Sequence, residues 1–106
     1  SRKGENLLLT LPVTFAEAAL GADIKVPTLS GDDVTVRLAG GTPTGRVLRV
    51  KGRGIKKGAI TGDLLVTVEV QVPRRVEGKA EDAIKAFALA TADHDIRAEF
   101  VTKAKS

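Results

Sequence analysis

The chain has 106 residues, 42 % of them hydrophobic, and a formal net charge of +4, enough length for one domain with its own core. It contains no cysteine, which excludes structural disulfides and thiolate metal sites, and its three phenylalanines are too few for a base-stacking platform. No run approaches the roughly 18 apolar residues of a membrane helix and no signal segment opens the chain, so the expectation is a cytoplasmic domain; the missing methionine at position 1 points to a piece of a longer protein.

Leu7, Leu9, Leu11 and Val13 alternate with Leu8, Thr10 and Pro12, the period of a strand, with Leu8 left as an apolar residue on the outer side. Thr14 and Glu17 have the spacing of a capping box, which predicts a two-turn helix over Phe15 to Leu20 ended at Gly21. Ile24 and Val26 alternate with Lys25, and Pro27 closes that run. After a turn at Ser30 to Asp33, Val34, Val36 and Leu38 form a third strand. The stretch from Ala39 to Gly45 is a loop by its glycines and proline, followed by a strand around Leu48 and Val50. Gly52 to Gly62 reads as a connection longer than a tight hairpin needs. Val66, Val68, Val70 and Val72 then alternate with Thr67, Glu69 and Gln71 until Pro73.

Beyond Pro73 the period becomes helical. Ala80, Ala83, Ile84, Phe87, Ala88 and Thr91 share one helix face, Glu81 and Lys85 form a four-residue ion pair, and Asp95 is expected to cap a second short helix carrying Ile96 and Phe100. The predicted fold is mainly β: a twisted two-sheet antiparallel β-sandwich over residues 1–78, with a short helix after its first strand, and a helical tail over 79–106.

The glycine-rich stretches do not read as phosphate loops. Gly40 and Gly45 have a nucleotide-loop spacing but are followed by a strand, so the helix whose amides would meet the phosphate is missing. Nucleic-acid binding is the stronger rival, because no carboxylate falls between Asp33 and Asp63 while Arg37, Arg46, Arg49, Lys51, Arg53, Lys56 and Lys57 do. Against it, Arg37, Arg49 and Lys51 occupy outward strand positions where a solvated charge is ordinary, and the basic zone has no helix to enter a groove. His94 between Asp93 and Asp95 reads as a turn, not a metal site. Ser, Thr, His and Asp show no local triad, so no enzyme activity and no cofactor are expected. Leu8, Ile24 and Val26 are either core or the border of a groove to which an extended peptide adds as a strand. In the tail, Ile84, Phe87, Ile96 and Phe100 need a partner surface, either their own sandwich or a second copy of the chain.

Several ordered motifs carry a resemblance: Arg2-Lys3-Gly4-Glu5-Asn6-Leu7, Phe15-Ala16-Glu17-Ala18-Ala19-Leu20-Gly21, Val26-Pro27-Thr28-Leu29-Ser30-Gly31, Gly41-Thr42, Gly52-Arg53-Gly54, and Gly62-Asp63-Leu64 through Val72-Pro73. Over about residues 2 to 90 the chain resembles the second of the two C-terminal substrate-binding domains of DnaJ-type co-chaperones. It departs from that pattern at Asn6, where the family usually has Asp, at the extra residue of Asp32-Asp33, and at Pro43. The His-Pro-Asp tripeptide and the Cys-x-x-Cys zinc repeats of such chaperones are absent from these residues. The resemblance implies a non-enzymatic chaperone domain. Unfolded polypeptide clients would be held by apolar contacts at Leu8, Thr10, Phe15, Ile24 and Val26, then delivered to a DnaK-type ATPase through other parts of the parent chain. It also implies a homodimer, for which Ile84, Phe87, Ile96 and Phe100 are the candidates, with no membrane role. A basic nucleic-acid-binding β module is the alternative.

Overall fold

A computed structural model describes residues 2–28 and 31–106 of the chain. They fall into two compact units, Ser1–Val72 and Pro73–Ser106. The first unit contains, in chain order, β1 (Arg2–Lys3), β2 (Asn6–Thr14), α1 (Phe15–Leu20), β3 (Ala22–Pro27), β4 (Asp33–Leu38), β5 (Val47–Val50), β6 (Lys56–Lys57), β7 (Ile60–Thr61) and β8 (Leu64–Gln71). A four-stranded sheet has the order β1-β2-β8-β5, β3 pairs with β4 in a second sheet, and β6 pairs with β7 in a small ribbon.

The alternation of apolar residues becomes burial with the expected period. In β4, Val34, Val36 and Leu38 are buried and the residues between them exposed; in β8, Leu64, Val66 and Val68 are buried. Val66 and Val68 are fully enclosed, each contributing about 2 kcal/mol of hydrophobic stabilisation. One cluster joins Val13, Leu64, Val66 and Val68 of the larger sheet, Val26, Val36 and Leu38 of the smaller sheet, and Ala18 of α1, so the mainly β, two-sheet packing is as expected.

The pairing at the centre corrects one expectation. β2 and β8 run parallel, with Leu7 opposite Leu64 and Val13 opposite Val70, so the larger sheet is mixed and not purely antiparallel. Alternation fixes which side chains face the core but is blind to strand direction. A parallel pair needs a long crossover, and here the second sheet and β5 supply it.

The capping box forms as expected: Glu17 N–H donates to Thr14 Oγ1 at 3.0 Å and Thr14 N–H donates to Glu17 Oε1 at 2.9 Å. At the end of α1, Gly21 has φ 90°, and an added Cβ would lie 3.0 Å from Leu38 O and 3.1 Å from Gly40 N. This close approach seats α1 on the loop after β4, where Gly41 and Thr42 N–H groups both donate to Ala18 O at 2.9 Å. The expected turn begins at Ser30, outside the described residues; its later part is closed by Thr28, whose N–H and Oγ1 both donate to Asp32 O.

The second unit contains α2 (Gly78–Ala90) and α3 (Ala98–Ala104). Glu81 and Lys85 pair at 3.1 Å as expected, and Glu99 and Lys103 repeat the arrangement at 3.0 Å. Asp95 does not cap α3. Its Oδ1 accepts from the N–H of Arg97, two residues on, which makes a local turn; α3 starts only at Ala98 and Ile96 lies before it. Among the described residues no helix is long and apolar enough to cross a membrane.

Candidate functional site

A sheet edge is the first feature of the site. Leu7 N–H donates to Asp63 O at 2.9 Å, which starts the ladder between β2 and β8. In a parallel ladder alternate residues direct both main-chain groups to the same neighbour, so Leu9, Leu11 and Val13 follow Leu7 toward β8. The main-chain groups of Leu8 and Thr10, and the carbonyl of Pro12, therefore face the other side. Among the described residues only β1 pairs there, and its register covers just Asn6 and Leu7. Among the described residues nothing pairs with this side of β2 from Leu8 onward, and Pro12, which has no N–H, limits the length of that edge.

Beside this edge lies a cavity of about 400 Å³, lined by Leu7, Leu8 and Leu9, by Pro27 and Thr28 where β3 ends, by Leu64 at the start of β8, and by Arg53. A second cavity of about 310 Å³ adjoins it, sharing Leu7, Thr28 and Arg53 and adding Gly52, Gly54, Lys56 and Thr61. An apolar trough thus passes into a polar, cationic end at the N-terminal end of β2.

The loop that supplies Arg53 and Lys56 is held at several points. Gly52 N–H donates to Asp63 Oδ1 at 2.9 Å, Gly54 N–H to Gly62 O at 2.9 Å, Ile55 N–H to Glu5 O at 2.7 Å, and Gly62 N–H to Ile55 O at 2.9 Å. Asp63 N–H in turn donates to the Asn6 side-chain oxygen at 2.8 Å. Gly54 and Gly62 are required because backbone meets backbone: a Cβ on either would overlap the Glu5 carbonyl, and on Gly54 also Asp63. The connection from Gly52 to Gly62 is therefore a stapled ribbon, with β6 and β7 inside it.

Charges around the loop are partly neutralised. Arg49 Nη1 meets Asp63 Oδ2 at 2.7 Å, and the carboxyl of Asp63 is held below the usual carboxylate range, first by the Gly52 N–H and then by Arg49 and Lys51 against some desolvation. On the smaller sheet Arg37 pairs with its cross-strand neighbour Asp23 at 3.0 Å, so the expected basic face loses two of its cations to ion pairs. Among the described residues Arg53 and Lys56 are in no ion pair.

The residues expected to meet a client are not gathered in one place. Leu8, 37 % exposed, lines the apolar cavity, and Thr10 is exposed on the same edge. Phe15 lies at the start of α1 and lines a different cavity, with Pro43, Thr44 and Val70. Ile24 is half-buried against the core, and Val26, only 2 % exposed, belongs to the core itself, where it has no surface to offer a ligand. Leu7, Leu9, Pro27, Leu64 and Arg53 line the cavity without having been singled out; the Leu7 to Leu64 register and the stapling of the Arg53 loop, both invisible to periodicity, help bring them together. In the helical unit Ile84 and Phe87 lie on α2 and Phe100 on α3, all exposed, and Ile96 is 82 % exposed in the turn before α3.

Comparison with known proteins gives consistent likenesses. The family model described as the DnaJ C terminal domain matches residues 1–73. Chaperone protein DnaJ 1 of Streptomyces avermitilis is 58 % identical over 105 residues, which cover 98 % of this chain and 26 % of that protein. Chaperone protein DnaJ 1 of Streptomyces coelicolor is 55 % identical with the same coverage. Chaperone protein DnaJ 2 of Corynebacterium glutamicum is 52 % identical over 90 residues, 85 % of this chain and 22 % of that protein. The chain spans about a quarter of the length of the curated relatives it matches.

Proposed function

The chain belongs to the DnaJ C-terminal domain family, and from that premise we propose that it is the second C-terminal domain of a DnaJ-type co-chaperone, binding unfolded polypeptide and joining two copies of the chaperone. The observation that carries this reading is the open edge of β2 beside the apolar cavity. An extended client segment added at Leu8 and Thr10 satisfies main-chain groups that have no strand partner among the described residues, whatever its sequence. An alternate side chain then drops among Leu7, Leu8, Leu9 and Leu64, which supplies affinity without demanding one residue type. Weak, sequence-tolerant capture of this kind suits a holder of unfolded chains and needs no cofactor or catalytic group. In the longer protein the client passes to a DnaK-type ATPase through segments outside these residues, in the cytoplasm.

Dimerisation is assigned to the helical unit. Ile84, Ile96 and Phe100 are exposed there, and a second copy that covered them would give a two-armed clamp whose avidity exceeds that of one arm. Phe87, on the same face as Ile84, joins that surface.

Titrating the chain with a labelled unfolded polypeptide, and separately with a labelled oligonucleotide at two salt concentrations, tests the first part. Client binding that Leu8→Asp abolishes is expected. Salt-sensitive oligonucleotide binding with no client binding would replace this reading with the basic nucleic-acid module. Amide shifts on adding client should cluster around Leu8 and Thr10.

A further inference from the structure

We infer that Arg53 and Lys56 make the proposed client groove selective, so that it prefers an apolar extended segment carrying acidic residues beside its apolar core. The inference rests on the client-binding reading and adds to it the chemical class of segment taken.

Four observations lead to it. The apolar cavity and the polar cavity share Leu7, Thr28 and Arg53 in their linings, so a segment seated in the first has the cations of the second next to it. Among the described residues neither cavity has a carboxylate in its lining, and the nearby carboxylate of Asp63 is engaged by Gly52 N–H and Arg49. Arg53 and Lys56 have no ion-pair partner among the described residues, unlike Arg37 and Arg49, whose charge is already answered. Finally, their backbone is fixed in advance: residues on both sides of Arg53 are tied to Glu5, Gly62 and Asp63, and Lys56 is paired with Thr61 in the ribbon. Cations on a fixed scaffold lose less freedom on meeting an anion than cations on a loose loop. Their placement at the end of an apolar trough turns a charge into a discriminator, since an acidic flank gains an ion pair and a basic flank meets repulsion.

The test uses the whole chain and three short fluorescent peptides with one shared Leu-Val-Leu-Val centre, flanked by aspartates, asparagines or lysines. By anisotropy at low salt, the aspartate peptide should bind about fivefold tighter than the asparagine peptide, and the lysine peptide more weakly than either, with the spread shrinking at high salt. In an Arg53→Gln, Lys56→Gln double variant the three affinities should converge to within about twofold of one another. Both side chains are exposed, so an unchanged thermal midpoint verifies that the variant is folded. Equal affinities for all three peptides on the wild type would overturn the charge selection and leave client binding standing. A preference that survives in the double variant would move the selection to other cations and overturn the role of Arg53 and Lys56. No binding of any peptide would remove the client groove, and the selection with it. An oligonucleotide that binds more tightly than the aspartate peptide, and loses affinity in the double variant, would assign the two cations to nucleic acid instead.

Discussion

In the sheet unit Val66 and Val68 are fully buried and both sheets contribute to one core cluster, whereas in the helical unit neither α2 nor α3 has a buried residue. Both units carry aliphatic residues at regular spacing. What differs is the number of layers available: two sheets and α1 enclose the inward side chains of β2, β4 and β8, while a pair of short helices cannot surround its own apolar face. The sheet unit therefore encloses a core of its own, and the helical unit leaves Ile84, Ile96 and Phe100 exposed, the surface proposed for assembly.

This contrast can be broken most severely at the centre of the sheet. Val66→Asp would bury an unpaired carboxylate and is expected to cost about 4 kcal/mol or more, seen as loss of the cooperative thermal transition by circular dichroism. Next comes Gly62→Ala, whose Cβ overlaps the Glu5 carbonyl; a loss of about 2 kcal/mol is expected in chemical denaturation, together with weakened client binding as Arg53 shifts. Thr14→Ala removes the capping box and should cost about 1 kcal/mol by the same measurement.

Asp63 sharpens the comparison through pH. Its folded-state carboxyl lies below its unfolded value, so between the two the unfolded chain binds more protons and stability rises with pH. Its contribution is complete above the unfolded value of about 4 and is lost as pH falls through the lower folded value. Denaturation midpoints followed from about pH 6 down to pH 2 should fall more for the wild type than for Asp63→Asn. An equal fall would show that the carboxylate does not hold the Gly52 end of the ribbon.

The smallest effect on the sheet unit is expected from the tail. Phe100→Asp should leave the unfolding free energy of the sheets within about 0.5 kcal/mol of the wild type, yet shift the mass in solution from dimer toward monomer. A monomeric wild type would remove the assembly role, and a large drop in sheet stability would show that the two units are not independent.

Much of this was readable from residue order because it depends on local rules. The capping box at Thr14 and Glu17, the burial of alternate residues in β4 and β8, and the pairing of Glu81 with Lys85 each involve neighbours a few positions apart. The motifs from Arg2 to Pro73 likewise carried the family without any coordinates. The sequence was less informative wherever distant segments meet. Asp95 offered its carboxylate equally to a helix or to a turn, and Arg97 N–H in a turn took it. Val26 alternates like a groove residue, and only the packing of its sheet against the four-stranded one makes it core.

The stretch Gly52 to Gly62 divides along the same line. Its composition determined that it would bend, carry cations and lead into a strand in place of a phosphate-binding helix. Only the tertiary structure decided that Gly54 and Gly62 press against Glu5, that Asp63 anchors the ribbon, and that Arg53 comes to rest beside Leu7 and Leu64. The physical reason is that side-chain period and turn chemistry are written in adjacent residues, whereas a parallel register joins strands more than fifty positions apart, and no local preference specifies it.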